Sequence, residues 1–277
     1  MTDDAPGAAI RRHYAAPHLL DAILAALGEA GIDETPLDPD RLAPADQFHS
    51  RGLAATEALA SLAGFAPGAA VLDLGAGIGG PARWIAKRHP VSVTGLDLSL
   101  DYCRVAARLT ARCGLEDRVR FVEGDALAMP FADASFDLVW TQHVAGNIAN
   151  RPQLYAEVAR VLKPGGRFVL HDIFAGPVAG LHFPVPWATA PAMSHLLRPN
   201  RMKTLLGAKG FEAAAWLDMT APTLGWLDGL AGRRTAPVGL GPWLVMGADY
   251  RTKLANLRRN LAEGRIEIHM GAFRRTA

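Results

Sequence analysis

The chain has 277 residues, half of them hydrophobic and a fifth charged, enough to bury a full core as one large domain or as one domain with a cap. Its formal net charge is only +2 and no run of Lys or Arg exceeds two residues, so no nucleic-acid partner is implied. Two cysteines in no CxxC pattern (Cys103, Cys113) argue against a disulfide framework or thiolate metal site, and an acidic Met-Thr-Asp-Asp start and broken apolar runs argue against a signal peptide or membrane span, so a reduced, cytoplasmic enzyme is expected.

Leu20, Ile23, Leu24 and Leu27 recur at helical spacing, predicting a helix over 18–27 that Gly28 ends. Residues 32–46 are rich in Pro and Asp and read as a connector, followed by a second short helix. Ala70–Leu74 is an apolar run bounded by glycines and reads as a buried strand, after which Pro81 suits the start of a helix. A regular alternation follows: strand 91–96, helix 100–113 closed by Gly114, strands 119–123 and 136–140, an amphipathic helix marked by Leu154, Val158, Val161 and Leu162, and a strand at 167–170. Alternation of this length predicts a doubly wound, parallel α/β sheet. Residues 174–200 are then rich in Pro, Gly and aromatics; 201–210 reads as helix, 211–219 as strand, 220–264 as a loop-and-helix insertion and 266–273 as the final strand.

Gly75-Ala76-Gly77-Ile78-Gly79-Gly80 lies between a predicted strand and a helix, where glycines let the backbone turn sharply and approach a ligand. The string satisfies GxGxxG, and Asp97 follows Gly77 by 20 residues, which is also the dinucleotide fingerprint. Three features separate the readings. Asp73 stands where it would repel a pyrophosphate but serve a cationic methionine end. Asp125, in Gly124-Asp125-Ala126, ends the third strand, where an acid can accept from an adenine amino group. Leu162-Lys163-Pro164-Gly165-Gly166 turns a helix into the fifth strand.

In this order and spacing, over roughly residues 68–172, these segments resemble the class I S-adenosylmethionine (SAM)-dependent methyltransferases. The resemblance implies a Rossmann-like, seven-stranded, mostly parallel sheet of order 3-2-1-4-5-7-6 with the last strand antiparallel. It also implies roles. Asp73, Gly75, Ala76 and Gly77 would surround the methionine portion of SAM; Asp97 would hold the ribose hydroxyls with Leu98 packed on the adenine; Asp125 and Ala126 would meet the adenine edge; and Gln142 would lie near the sulfonium. Flanking segments resemble the narrower sarcosine/dimethylglycine N-methyltransferase-like group: Asp46-Gln47-Phe48-His49-Ser50-Arg51-Gly52, Trp140-Thr141-Gln142-His143 through Asn147-Ile148, and Phe183-Pro184-Val185-Pro186-Trp187. Where that group commonly has a bulkier Met, this chain has Gly146, which implies a different or larger acceptor.

The sulfonium is already activated, so the protein must chiefly align the nucleophile, and a base matters where the acceptor arrives protonated. His143 is the first candidate, because it follows Gln142 at the carboxyl end of a strand, where α/β ligands bind. His49 and Tyr14 are next, and Asn147 could orient the acceptor or cap a helix. Phe183, Trp187, Trp226 and Trp243 could form an aromatic wall for a cationic amine, or simply the core of the cap. His171 and Asp172 end the predicted fifth strand and resemble a metal pair, but no third ligand stands at a plausible spacing, so no metal is expected. Residues 1–60 are expected to form a helical lid on a SAM-binding domain of residues 61–277, with cap insertions near 174–200 and 220–264. The leading expectation is methyl transfer to a small-molecule acceptor, an amine or amino-acid-like nitrogen. The alternatives are O- or C-methylation of a specialised metabolite, an intramolecular reaction of SAM or transfer of another group, and a catalytically silent SAM-binding module.

Overall fold

The computed structural model describes residues 10, 13, 14, 18–231 and 239–276. The acidic N-terminal tetrapeptide and residues 232–238 of the expected insertion lie outside the described residues. Seven strands form one sheet in the order β3-β2-β1-β4-β5-β7-β6: β1 (Ala70–Leu74), β2 (Ser92–Asp97), β3 (Val119–Glu123), β4 (Phe136–Gln142), β5 (Leu162–Ala175), β6 (Phe211–Asp218) and β7 (Ile266–Arg275). Neighbours pair parallel from β3 across to β5, and β7 runs antiparallel between β5 and β6. The strand order and the antiparallel last strand are those the sequence led us to expect.

Successive strand residues face opposite sides of the sheet, so each strand feeds two cores. Leu72 and Val139 join Leu154 and Val158 of α6 (Arg151–Val161) on one side, with Met202 and Leu206 of α7 (Pro199–Gly207). Val71, Leu138 and Trp140 join Leu59 of α3 (Leu53–Ala63) and Ile85 of α4 (Gly80–Arg88) on the other. A third cluster unites Ile23 and Leu27 of α1 (Leu19–Glu29), Leu42 of α2 (Pro39–Asp46) and Leu109 of α5 (Leu100–Arg112). A fourth gathers Ile173 of β5 with Trp187 and Leu257 from the segments after β5 and β6, the latter of which includes α8 (Thr220–Ala231), α9 (Trp243–Met246) and α10 (Tyr250–Ala262). No helix of the described residues is long and apolar enough to cross a membrane. Both cysteines are free and buried.

Four local expectations need correction. Gly28 lies inside α1, and the turn out of that helix falls at Gly31, with φ +66°. The Pro/Asp-rich connector is helical in its second half, because Asp38 accepts a hydrogen bond from the Asp40 N–H, Pro39 suits the first turn, and Leu42 and Ala45 are buried. The Lys-Pro-Gly-Gly turn is a wide bulge inside β5: Leu162 pairs with Phe136 and Arg167 with Leu138, leaving 163–166 looped out. Because β5 runs on to Ala175, His171 and Asp172 sit well within the strand.

Candidate active site

The glycine loop leaves the end of β1 by bending back on β2: the N–H groups of Gly75 and Ala76 both donate to Leu96 O, at 2.7 and 3.0 Å. Gly75 has φ +73°, and a Cβ there would overlap the Val144 side chain, so both conformation and close approach require glycine. Gly77, with φ +54°, has open space where a Cβ would stand. Its N–H donates to Asp97 Oδ2 at 2.8 Å, and Asp97 Oδ1 accepts from Ser99 N at 2.9 Å. Asp97 thus ties the tip of β2 to the loop. Burial raises its carboxyl above the ordinary range, against the pull of these N–H donors.

Asp73 is only 2% exposed, and its Oδ2 has no hydrogen-bond partner. Burial, aided by the Asp97 charge, pushes its carboxyl up to about 7. Gln142 ends β4 with its Oε1 accepting from Trp140 Nε1 at 2.9 Å, while its buried Nε2 has no partner. Buried polar groups are rarely left unpaired, so such a pair of orphans points to a missing ligand. An unused acceptor at Asp73 and an unused donor at Gln142 suit the ammonium and carboxylate of a zwitterion. Both open on a cavity of about 590 Å³ at the carboxyl ends of β1, β2 and β4, which Asp125, Ala126 and Leu98 also line. Asp125 is exposed and accepts from Leu127 N at 2.8 Å.

Every sequence-predicted site residue lines this one cavity: Tyr14, His49, Asp73, Gly75, Ala76, Gly77, Asp97, Leu98, Asp125, Ala126, Gln142, His143 and Asn147. Their polar atoms are not equally free. Asn147 Nδ2 donates to Trp187 O at 2.7 Å and to Met193 O at 3.1 Å, and its Oδ1 accepts from Tyr14 OH at 3.2 Å. The pair therefore ties Tyr14 to the segment that carries Trp187 and Met193. His49 Nε2 sits 3.2 Å from both Gln47 Oε1 and Thr56 Oγ1, and its Nδ1 lies 3.4 Å from Ser50 O; burial drives its pKa down to about 4. His143 is different. It holds φ +56°, a left-handed conformation uncommon outside glycine, and its Nε2 lies 3.1 Å from Ser50 Oγ. Burial, and then His49, place its pKa well below the ordinary value, so the ring is neutral.

Sequence reasoning gave Ser50 no role and weighed the fully buried His171 only as a metal ligand, whereas His171 Nε2 lies 3.5 Å from the same Ser50 Oγ. The rings of His49, His143 and His171 lie 4.6 to 6.1 Å apart, yet no three His, Cys, Asp or Glu side chains among the described residues are placed to hold a metal. Asp172 accepts from Ala145 N at 3.1 Å and from Ile173 N at 2.8 Å, and burial pushes it up to about 6. Of the four aromatics weighed as a wall or a cap core, Trp187 and Trp226 line the cavity, whereas Phe183 and Trp243 do not. Gly146 does not line it either: a Cβ there would meet Leu196 at 3.3 Å and Trp187 at 3.5 Å, so its missing side chain adds no room for an acceptor.

A Rossmann-like sheet with this strand order, a glycine loop and acidic residues at the ends of β1 and β2 define the class I SAM-dependent methyltransferases. Residues 72–170 match the family described as a methyltransferase domain, a family that uses SAM, and the match covers that part of the chain. It is 38% identical over 136 residues to methyltransferase GfsG of Streptomyces halstedii, covering 49% of this chain and 48% of that protein. It is 40% identical over 105 residues to the sarcosine/dimethylglycine N-methyltransferase of Aphanothece halophytica, covering 38% of each. The match thus spans less than half the length of either relative. In fold, the chain is similar to a geranyl diphosphate C-methyltransferase from Streptomyces coelicolor A3(2), with TM-score 0.72 and 21% identity over 99% of this chain and 100% of that one.

Proposed function

We propose that this chain transfers the methyl group of SAM to a small, largely apolar acceptor, at oxygen or carbon. The observation that carries this reading is a single cavity with two chemically distinct ends. At one end stand Asp73, Asp97, Asp125 and the unpaired amide of Gln142; at the other, Ile173, Trp187, Met193, Trp226, Leu254 and Leu257. No Lys or Arg among the described residues lines it, so an amino-acid-like acceptor would bring a carboxylate with no cation to meet it. The amine reading, first on sequence grounds, becomes the second; the faces of Trp187 and Trp226 are what favour it.

In this reading Asp73 would meet the ammonium of SAM and Gln142 its carboxylate, Asp97 the ribose hydroxyls, and Asp125 and Ala126 the adenine edge, with Leu98 packed beside it. When bound, SAM supplies an activated methyl group on its sulfonium. The chain then aligns the acceptor and excludes water. The N-terminal segment carrying Tyr14 and the segments near 174–200 and 220–264 serve as the lid and cap, joined across the cavity through Asn147. His143 faces the acceptor. The test is thermal: SAM and S-adenosylhomocysteine raise the melting temperature while NAD(H) and NADP(H) do not, because only a ligand of the native state shifts unfolding. An acceptor panel with products identified by mass then reports a gain of one methyl group on oxygen or carbon. A nicotinamide cofactor that shifts the melt while SAM does nothing refutes the reading, and methylated amino acids would restore the second.

A further inference from the structure

Ser50 sits between the buried imidazole of His171 and the half-buried imidazole of His143, its Oγ 3.1 Å from His143 Nε2 and 3.5 Å from His171 Nε2. A hydroxyl has two lone pairs but one proton to give, and these two rings are the only partners of Ser50 Oγ among the described residues, so the buried hydroxyl donates to one ring and accepts from the other. His171 decides the direction. It is fully buried, and its Nδ1 has no hydrogen-bond partner. Burial, then the neighbouring His143, His49 and Arg51, keep the ring neutral, with a single N–H. A buried N–H without an acceptor is the costlier orphan, and an unused lone pair the cheaper one. His171 therefore carries its proton on Nε2 and donates it to Ser50 Oγ. Ser50 in turn donates to His143 Nε2, which must then be a bare lone pair. The one proton of neutral His143 falls on Nδ1, which bonds to no described residue and is not among the sealed polar atoms of this cavity-lining side chain.

We infer that Ser50 and His171 fix His143 as its Nδ1–H tautomer, so that it offers the acceptor a hydrogen-bond donor and not a general base. Ser50 and His171 are positioning residues: they act through the ring of His143. To take a proton at Nδ1, His143 would need the whole chain of bonds reversed, which would leave the Nδ1–H of His171 buried without an acceptor. The left-handed backbone at His143 is a further sign that the ring is held in place. The acceptor atom facing His143 is accordingly a neutral or anionic oxygen or nitrogen with a free lone pair, and an ammonium is rejected. This consequence rests on the methyl-transfer reading, whereas the tautomer does not.

Long-range 1H–15N NMR of the full chain labelled with 15N-histidine reads the tautomer directly, with the His143 signals assigned by their loss in His143→Gln. In the wild type Nδ1 is expected to be pyrrole-type and Nε2 pyridine-type. Ser50→Ala should shift that pattern toward the other tautomer, and Ser50→Thr, which keeps a hydroxyl, should retain it. A wild-type His143 protonated on Nε2 overturns the assignment, as does a folded Ser50→Ala protein with an unchanged pattern. Should Ser50→Ala fail to fold, the wild-type spectrum decides alone. Neither cofactor nor acceptor is present in this experiment. A protein whose melt ignores SAM but whose His143 is Nδ1–H fails the functional reading and keeps this one.

Discussion

Asp73 should couple cofactor binding to a proton. Its carboxyl is buried at the end of β1, with Oδ2 unpaired and a pKa pushed up to about 7. In the free protein at pH 7 about half of it is ionised, and at pH 6 about a tenth. An ammonium placed beside it lowers that pKa, so SAM should bind with release of about half a proton at pH 7 and about 0.9 at pH 6. Affinity should fall about fivefold between pH 7 and pH 6, a window in which an α-amino group stays mostly protonated. The same residue should cost stability. Its folded pKa lies above the ordinary 3.8, so the native state holds the proton more tightly than the unfolded chain between these values. Stability without ligand therefore declines as pH rises from about 4 to about 7, by up to about 4 kcal/mol in total. Asp73→Asn should remove this decline and melt later than the wild type above pH 7, while binding SAM weakly and without pH dependence. Calorimetric titration in two buffers of different ionisation enthalpy measures the protons released, and melting curves from pH 5 to 8 measure the linkage. A titration with no proton release and a flat affinity, together with an Asp73→Asn protein no more stable at pH 8, would refute the reasoning.

Two further substitutions test the frame around the cofactor end. Asp97→Ala removes the acceptor of the Gly77 N–H as well as the proposed ribose contacts, so SAM affinity should fall tenfold to a hundredfold, about 1.5–3 kcal/mol, and unchanged affinity in a folded variant would discard the assignment. Arg83 is fully buried, pairs with Asp46 at 2.8 Å, and also donates to Ile78 O at 2.7 Å beneath the glycine loop. Arg83→Met strands the Asp46 carboxylate and should cost about 3–5 kcal/mol in urea unfolding, with a loss below 1 kcal/mol contradicting it.

What could be read from the sequence and what could not divide along physical lines. Ala70–Leu74 and Val119–Glu123 coincide with the strands expected, because short segments rich in Val, Leu and Phe between turn residues in an alternating chain have few other solutions. The Pro/Asp stretch misleads because its capping carboxylate and first-turn proline, the features that punctuate loops, also start α2. The fifth strand is underestimated because Asp172 looks like a strand end, although two backbone N–H groups satisfy it inside the sheet. That error cast His171 as one of a metal pair and left its contact with Ser50 unread. Ser50 and His171 are separated by 121 residues, and no local periodicity links two side chains at such a distance. Gly146 misleads in the opposite sense, since Leu196 and Trp187 already occupy the space that a missing side chain seemed to open.

The two ends of the cavity were unequally legible for a reason that lies in their chemistry. At the cofactor end, the backbone does much of the work: Gly75 must be glycine for conformation and close approach, Gly77 for its left-handed conformation, and Asp97 must reach the N–H of Gly77. Such demands fix residue type and spacing within one stretch of chain, so they survive as a motif. At the acceptor end, Tyr14 and Asn147 are bonded to each other and Asn147 to the backbone of Trp187 and Met193, His49 is engaged by Gln47, Thr56 and Ser50, and what remains is a largely apolar wall with the imidazoles of His143 and His195. An apolar wall can be built from Ile, Leu, Met or Trp at almost any spacing, provided the segments meet in space. In the proposed reading an acceptor would be selected by volume and by the hydrogen-bond donor it meets, neither of which leaves a pattern along the chain. That is why the cofactor could be argued from the glycine loop, whereas the case against an amino-acid-like acceptor needed the whole lining of the cavity, in which no described cation appears.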